Sequence, residues 1–108
     1  MRALTRKEEM VLLAIINLRD GAYLIAIYDY LSEVVGGNLS LTSVHLPLSR
    51  LEKHGLIAAE MGGATAVRGG RRKKFYSITS FGWEILEEHK RINDRLWAEA
   101  AAVFPPKE

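Results

Sequence analysis

Between Arg68 and Lys74 stand five cationic side chains, Arg68, Arg71, Arg72, Lys73 and Lys74, with Gly69-Gly70 among them. Guanidinium and ammonium groups at this density attract polyanions, and glycines let a loop follow a phosphate backbone without Cβ clashes. Earlier in the chain, Ser40, Thr42, Ser43, His45, Leu46, Ser49, Arg50 and Lys53 place polar and cationic groups, with one leucine, around a helical repeat. Short donors, acceptors and apolar tips on the exposed side of a helix are what base edges in the major groove of duplex DNA require. The two sets divide the work. Cations supply affinity and register, while the helix supplies any choice of sequence.

The charge distribution agrees with that division. The net charge over 108 residues is only +2. Residues 1–49 carry four Lys/Arg against five Asp/Glu, residues 50–74 seven against two, and residues 75–108 four against six. The middle block is therefore +5, and the positive field belongs to the segment that holds both sets. Hydrophobic residues at 48% and charged residues at 26% are the balance of a folded globular domain. The length fits one domain with a modest core of its own. With no cysteine there is neither disulfide nor thiol chemistry. No apolar run approaches the roughly 20 residues of a membrane span, and no signal-peptide pattern opens the chain, so the expected location is the cytoplasm.

Several elements must position these groups. Thr5 with Glu8 forms a capping box before Val11, Ile15 and Leu18, which predicts a first helix over 6–18. Tyr23, Ile27, Leu31 and Val34 predict a second over 22–35, ended by Gly36-Gly37. Ser40 is the N-cap expected for a third helix over about 42–54, with Val44, Leu48 and Leu51 turned inward and Thr42, Leu46, Ser49 and Lys53 outward. Strands over 56–61 and 73–78 make a hairpin whose long tip is basic. Thr79 or Ser80 caps a final helix running to Val103. Phe81, Ile85, His89, Ile92, Leu96 and Val103 lie on one stripe of that helix, and Leu86, Trp97 and Phe104 about 100° round from it. Two apolar faces on one long helix exceed what a small core covers and favour a second copy, through Ile85, His89, Ile92, Leu96, Trp97 and Val103.

Pro47 conflicts with this pattern, because an interior proline removes a backbone hydrogen bond and clashes with the preceding turn. Either the third helix kinks there or it starts later. Leu46 has two readings, a contact for a thymine methyl or an isolated surface leucine.

The motifs Leu4-Thr5 with Glu8, Ala22-Tyr23, Arg50-Leu51-Glu52 with Gly55-Leu56-Ile57, and Gly69-Gly70-Arg71-Arg72 with Tyr76, Ile78-Thr79 and Gly82 occur in order. Together they resemble the PadR-like winged-helix transcription regulators over nearly the whole chain. The resemblance implies a mainly α (α+β) fold: a winged helix-turn-helix over 1–80 with a three-helix core and a two-stranded wing, then a dimerisation helix and tail over 81–108. It implies a homodimer in which the last helix packs with the partner's first, and repression of nearby genes. Some short members respond to flat hydrophobic compounds at the dimer interface, for which Trp97 is the candidate here. Ala22 and His45 stand where the family commonly has Gly and Tyr, and Pro47 sits one place later than its frequent proline, so the operator sequence is not carried over.

The expected function is therefore a sequence-specific duplex-DNA-binding regulator, a homodimeric repressor released by a small hydrophobic effector and needing no cofactor. The alternative is a winged-helix module whose wing meets an acidic protein surface. His45, His54 and His89 do not have the spacing of a metal site. No nucleophile has an evident base, and no glycine fingerprint for phosphate is present, so an enzyme is not expected.

Overall fold

The computed structural model describes residues 3–62 and 72–104. The elements run α1 (Arg6–Leu18), a 3-10 turn (Arg19–Gly21), α2 (Leu24–Val35), α3 (Leu41–Lys53), β1 (Ile57–Gly62), β2 (Lys73–Ile78) and α4 (Ser80–Val103). The first helix begins as its capping box dictates: Glu8 N–H donates to Thr5 Oγ1 at 3.1 Å, and Thr5 N–H donates to Glu8 Oε1 at 2.9 Å. Val11, Leu12, Ala14 and Ile15 bury its inner face against Ile27 and Leu31 of α2 and Val44, Leu48 and Leu51 of α3. Burial of a full Leu or Ile side chain is worth about 1.5–3 kcal/mol, so this three-helix contact supplies most of the domain's cohesion.

The second helix starts two residues later than its apolar spacing suggested. Ala22 and Tyr23 stay outside the helix because the sheet recruits them: Tyr76 N–H donates to the Ala22 carbonyl at 2.8 Å, and Tyr23 forms an isolated bridge to Phe75. Of the two expectations for Pro47, the later start of α3 does not occur. The helix starts at Leu41, with Ser40 Oγ accepting from Ser43 N–H at 3.1 Å, and it runs through Pro47 to Lys53. Pro47 is buried with Val44, Leu48 and Leu51, so its ring adds apolar contact where its missing N–H leaves the Ser43 carbonyl without an intrahelical donor.

β1 and β2 pair antiparallel, with Ile57 opposite Ile78 and Gly62 opposite Lys73. Two glycines make the junction with α4 possible. Gly55 has φ +81°, the left-handed turn that releases the chain from α3 into β1. Gly82 lets α4 approach so closely that a Cβ there would lie 2.1 Å from the Leu56 carbonyl oxygen. Thr79 stitches the same junction: its N–H donates to Leu56 O at 3.0 Å, its hydroxyl lies 2.7 Å from Gly55 O, and it accepts from Gly82 N–H at 2.9 Å. Gly-Leu-Ile and Ile-Thr-x-x-Gly are thus two halves of one contact.

Only the start of α4 enters the core, through Gly82, Ile85 and Leu86. From Lys90 to Phe104 every residue is exposed, including Ile92, Leu96, Trp97, Val103 and Phe104. Along that stretch Lys90–Asp94 at 2.6 Å and Arg95–Glu99 at 2.9 Å form solvent-exposed i,i+4 pairs that support the helix only slightly. Among the described residues no helix is long and apolar enough to cross a membrane.

Candidate nucleic-acid interface

The surface that α3 presents to solvent follows from its packing. With Val44, Leu48 and Leu51 buried, the wheel turns Thr42, His45, Leu46, Ser49 and Lys53 outward, and all five are exposed. Leu46 is 51% exposed, an apolar tip amid polar groups. Ser40 and Ser43 sit at the start of the helix and bond to each other: beyond the cap, Ser43 Oγ–H donates to the Ser40 carbonyl at 2.7 Å. Their side chains are thereby spoken for locally, and the open helix N-terminus, with its outward N–H groups, is what they hold in place.

Both edges of this face are tied to neighbouring elements by ion pairs. On one edge Arg50 Nε donates to Glu8 Oε2 at 3.2 Å, reaching the first turn of α1. On the other, Lys74 Nζ donates to Glu52 Oε1 at 3.0 Å, joining β2 to α3. That hydrogen bond holds the Lys74 ammonium above its ordinary 10.5. Lys74 also lies 5.8 Å from the Tyr76 ring centroid, while Lys73, on the alternate side of the strand, stands 4.2 Å over the Tyr23 ring. Tyr23 meets Phe75 edge to face at 5.5 Å.

The basic run is therefore not uniform. Lys74 answers Glu52, so that pair adds no net charge to the surface. Arg72 and Lys53 are exposed and have no ion-pair partner among the described residues, and Lys73 is held through an aromatic face rather than a carboxylate. Arg68 and Arg71 lie outside the described residues. Sequence reasoning missed three participants: Glu8, Glu52 and Tyr23. The capping box announced Glu8, but the use of its second oxygen by Arg50 spans 42 positions and leaves no local signal.

The residues expected to meet a second copy separate in the same way. Ile85 belongs to this chain's own core. His89 is half-covered beside α1, with Nε2 3.4 Å from Glu9 Oε1. Ile92, Leu96, Trp97 and Val103 remain open, and Trp97 is 70% exposed. Two concavities bear on a second copy, of which the first adjoins Ile92 and Leu96. One, of about 380 Å³, runs between Leu4 and the Ile85–His89–Ile92–Leu96 stripe. The other, of about 670 Å³, lies between α1 and α2 and is lined by Met10, Leu13, Tyr30, Val34 and Val35.

No protein-family model matches the chain, and no curated protein matches it. Solved structures do. A PadR-like transcriptional regulator from Bacillus cereus superposes with a TM-score of 0.72 at 25% identity, covering 93% of this chain and 92% of that one. A PadR family transcriptional regulator from Eggerthella lenta gives 0.72 at 24%, covering 94% and 87%. A transcriptional regulator from Clostridium thermocellum gives 0.70 at 22%, covering 93% and 90%.

Proposed function

We propose that this chain, which has the fold of the PadR-like transcriptional regulators, is itself a regulator that binds duplex DNA as a homodimer. One observation carries the reading: α3 exposes Thr42, His45, Leu46, Ser49 and Lys53 together, while the ion pair between Glu52 and Lys74 holds the base of the wing beside that face. A helix presented this way enters the major groove, and the wing cations beyond it follow the backbone. Arg72 and Lys73, with Arg68 and Arg71, supply affinity, and Thr42, His45, Leu46 and Ser49 supply sequence choice. The similar structures are regulators rather than enzymes, in keeping with a sequence that offers no nucleophile and base.

The second copy is argued from α4. Apolar side chains exposed over its last four turns cost solvation unless covered, and a helix of this length is about 36 Å long, well beyond its own core. Its natural cover is α1 and the α1–α2 groove of another copy, with Leu96, Trp97 and Val103 as anchors. A flat hydrophobic effector would stack on Trp97 at that interface, and repression is the outcome the family resemblance implies.

Selection from random duplex DNA tests the reading and returns the operator at once. A dimer selects a pseudo-palindrome with half-sites about one helical turn, or a multiple of it, apart. Affinity falls steeply with salt, by about 0.9 log units per phosphate contact per log unit of salt. Binding without sequence preference and without salt dependence, in a chain that co-purifies with an acidic protein, refutes it in favour of a protein-interaction module.

A further inference from the structure

We infer that Arg50 is a backbone-phosphate contact aimed by the buried carboxylate of Glu8, so that Glu8 is a positioning residue for DNA binding; this rests on the DNA-binding reading above. Three observations meet at this pair. Glu8 is 1% exposed and fixed by the capping box, with Oε1 occupied by Thr5 N–H and Oε2 by Arg50 Nε. Arg50 has no other partner among the described residues, and its side chain is 46% exposed although Nε is held by a buried carboxylate. Its place on the helix also matters. Ser49, Thr42, Lys53 and Leu46 span about 60° on the outward stripe, whereas Arg50 lies about 80° round from Thr42 and about 40° beyond Leu46, on the edge next to α1.

When a helix sits in the major groove, its outermost stripe meets base edges and its flanks meet the sugar-phosphate strands that bound the groove. Arg50 is on a flank. A guanidinium held at Nε by a rigid carboxylate keeps its two terminal N–H groups as a preset fork, the geometry that matches two phosphate oxygens. Held free of partners, the same side chain would sample many rotamers and lose them on binding. Arg50 therefore leaves the set of sequence readers, and Glu8, on another helix, joins the binding machinery without touching DNA.

The sign of the effect separates positioning from plain electrostatics. Glu8 carries negative charge close to where the polyanion must lie, so removing it would strengthen binding if charge alone mattered. In Glu8→Gln the single amide oxygen serves either Thr5 N–H or Arg50 Nε, not both, and the fork loses its anchor.

The test uses the full chain, its selected duplex and a scrambled duplex of equal length, with fluorescence anisotropy at several salt concentrations and a thermal melt of each variant. Arg50→Ala is expected to weaken binding about tenfold on both duplexes and to reduce the salt slope by about 0.9. Glu8→Gln is expected to weaken binding severalfold, and Glu8→Gln with Arg50→Ala to bind as Arg50→Ala does alone. Arg50→Lys keeps the charge but not the fork; a loss near that of Arg50→Ala supports the inference even where Glu8→Gln does not fold. Glu8→Gln binding as tightly as wild type or tighter overturns it, as does an Arg50→Ala loss confined to the selected duplex with an unchanged slope. Wild type that binds neither duplex overturns the DNA-binding reading itself.

Discussion

Replacing Gly82 by alanine removes a glycine from the first turns of a helix, a change that by propensity alone stabilises by about 1 kcal/mol. The structure reverses that sign. The new Cβ would stand 2.1 Å from Leu56 O, 2.9 Å from Leu56 C and 3.0 Å from Ile78 Cγ1. Ordinary contact between such atoms is about 3.5 Å, so α4 and the α3–β1 turn must part by more than about 1 Å. The obstacle is backbone, which cannot swing aside like a side-chain tip. Leu56 O also accepts from Thr79 N–H and lies 3.0 Å from Thr79 Oγ1, so the parting weakens the stitch that holds the helix. Overpacking costs about 1–3 kcal/mol, and each hydrogen bond lost about 1 kcal/mol. After the propensity gain, a net loss of about 2–4 kcal/mol remains. In a domain of this size that lowers Tm by roughly 10–25 °C. The assay is thermal unfolding followed by circular dichroism at equal protein concentration, since a dimer's Tm depends on concentration. Gly21→Ala is the control, because a Cβ there meets nothing within 4 Å; it shifts Tm by a few degrees at most. A Gly82→Ala protein melting at or above the wild type refutes the close-approach argument.

Arg72→Ala with Lys73→Ala is expected to lower the DNA-binding salt slope by about 0.9 per phosphate contact removed, while Lys74→Ala, whose charge Glu52 already answers, changes it less; anisotropy at graded salt compares them. In Glu52→Gln the Lys74 ammonium loses the hydrogen bond that raises it and titrates closer to its ordinary 10.5, read by NMR of the side chain. The sign follows: the pair contributes fully below that ordinary value and is lost as pH climbs through the raised one, so stability at neutral pH is untouched by titration. Trp97 emission should shift to the blue as the chain is concentrated into its dimer, and Trp97→Ala should weaken association by analytical ultracentrifugation; a spectrum independent of concentration in a proven dimer removes Trp97 from the interface.

Much of the molecule was legible along the chain. Thr5 with Glu8, Ser40 before Val44, and the pair Thr79-Ser80 announced three helix starts, with Thr79 the cap the structure uses, because a cap is a local exchange of hydrogen bonds between residues three apart. The inward stripe of α3 and the return strand Lys73–Ile78 followed from periodicity alone. The outward set Thr42, His45, Leu46, Ser49 and Lys53 is simply the complement of that stripe. What misled was the run of four cations after Gly70: consecutive residues on a strand point to alternate faces, so Lys73 and Lys74 meet different neighbours although their sequence context is the same.

The helices, the wing and the concentration of positive charge between residues 50 and 74 were thus determined by the sequence itself, through short-range hydrogen bonding and the rotation of side chains about a helix or strand. Which cations are available was decided only by tertiary structure. Arg50 finds Glu8 and Lys74 finds Glu52 across 42 and 22 positions, distances at which no periodicity speaks. The same holds for Pro47, which a helix alone would reject and which is retained where its ring is buried beside Val44, Leu48 and Leu51.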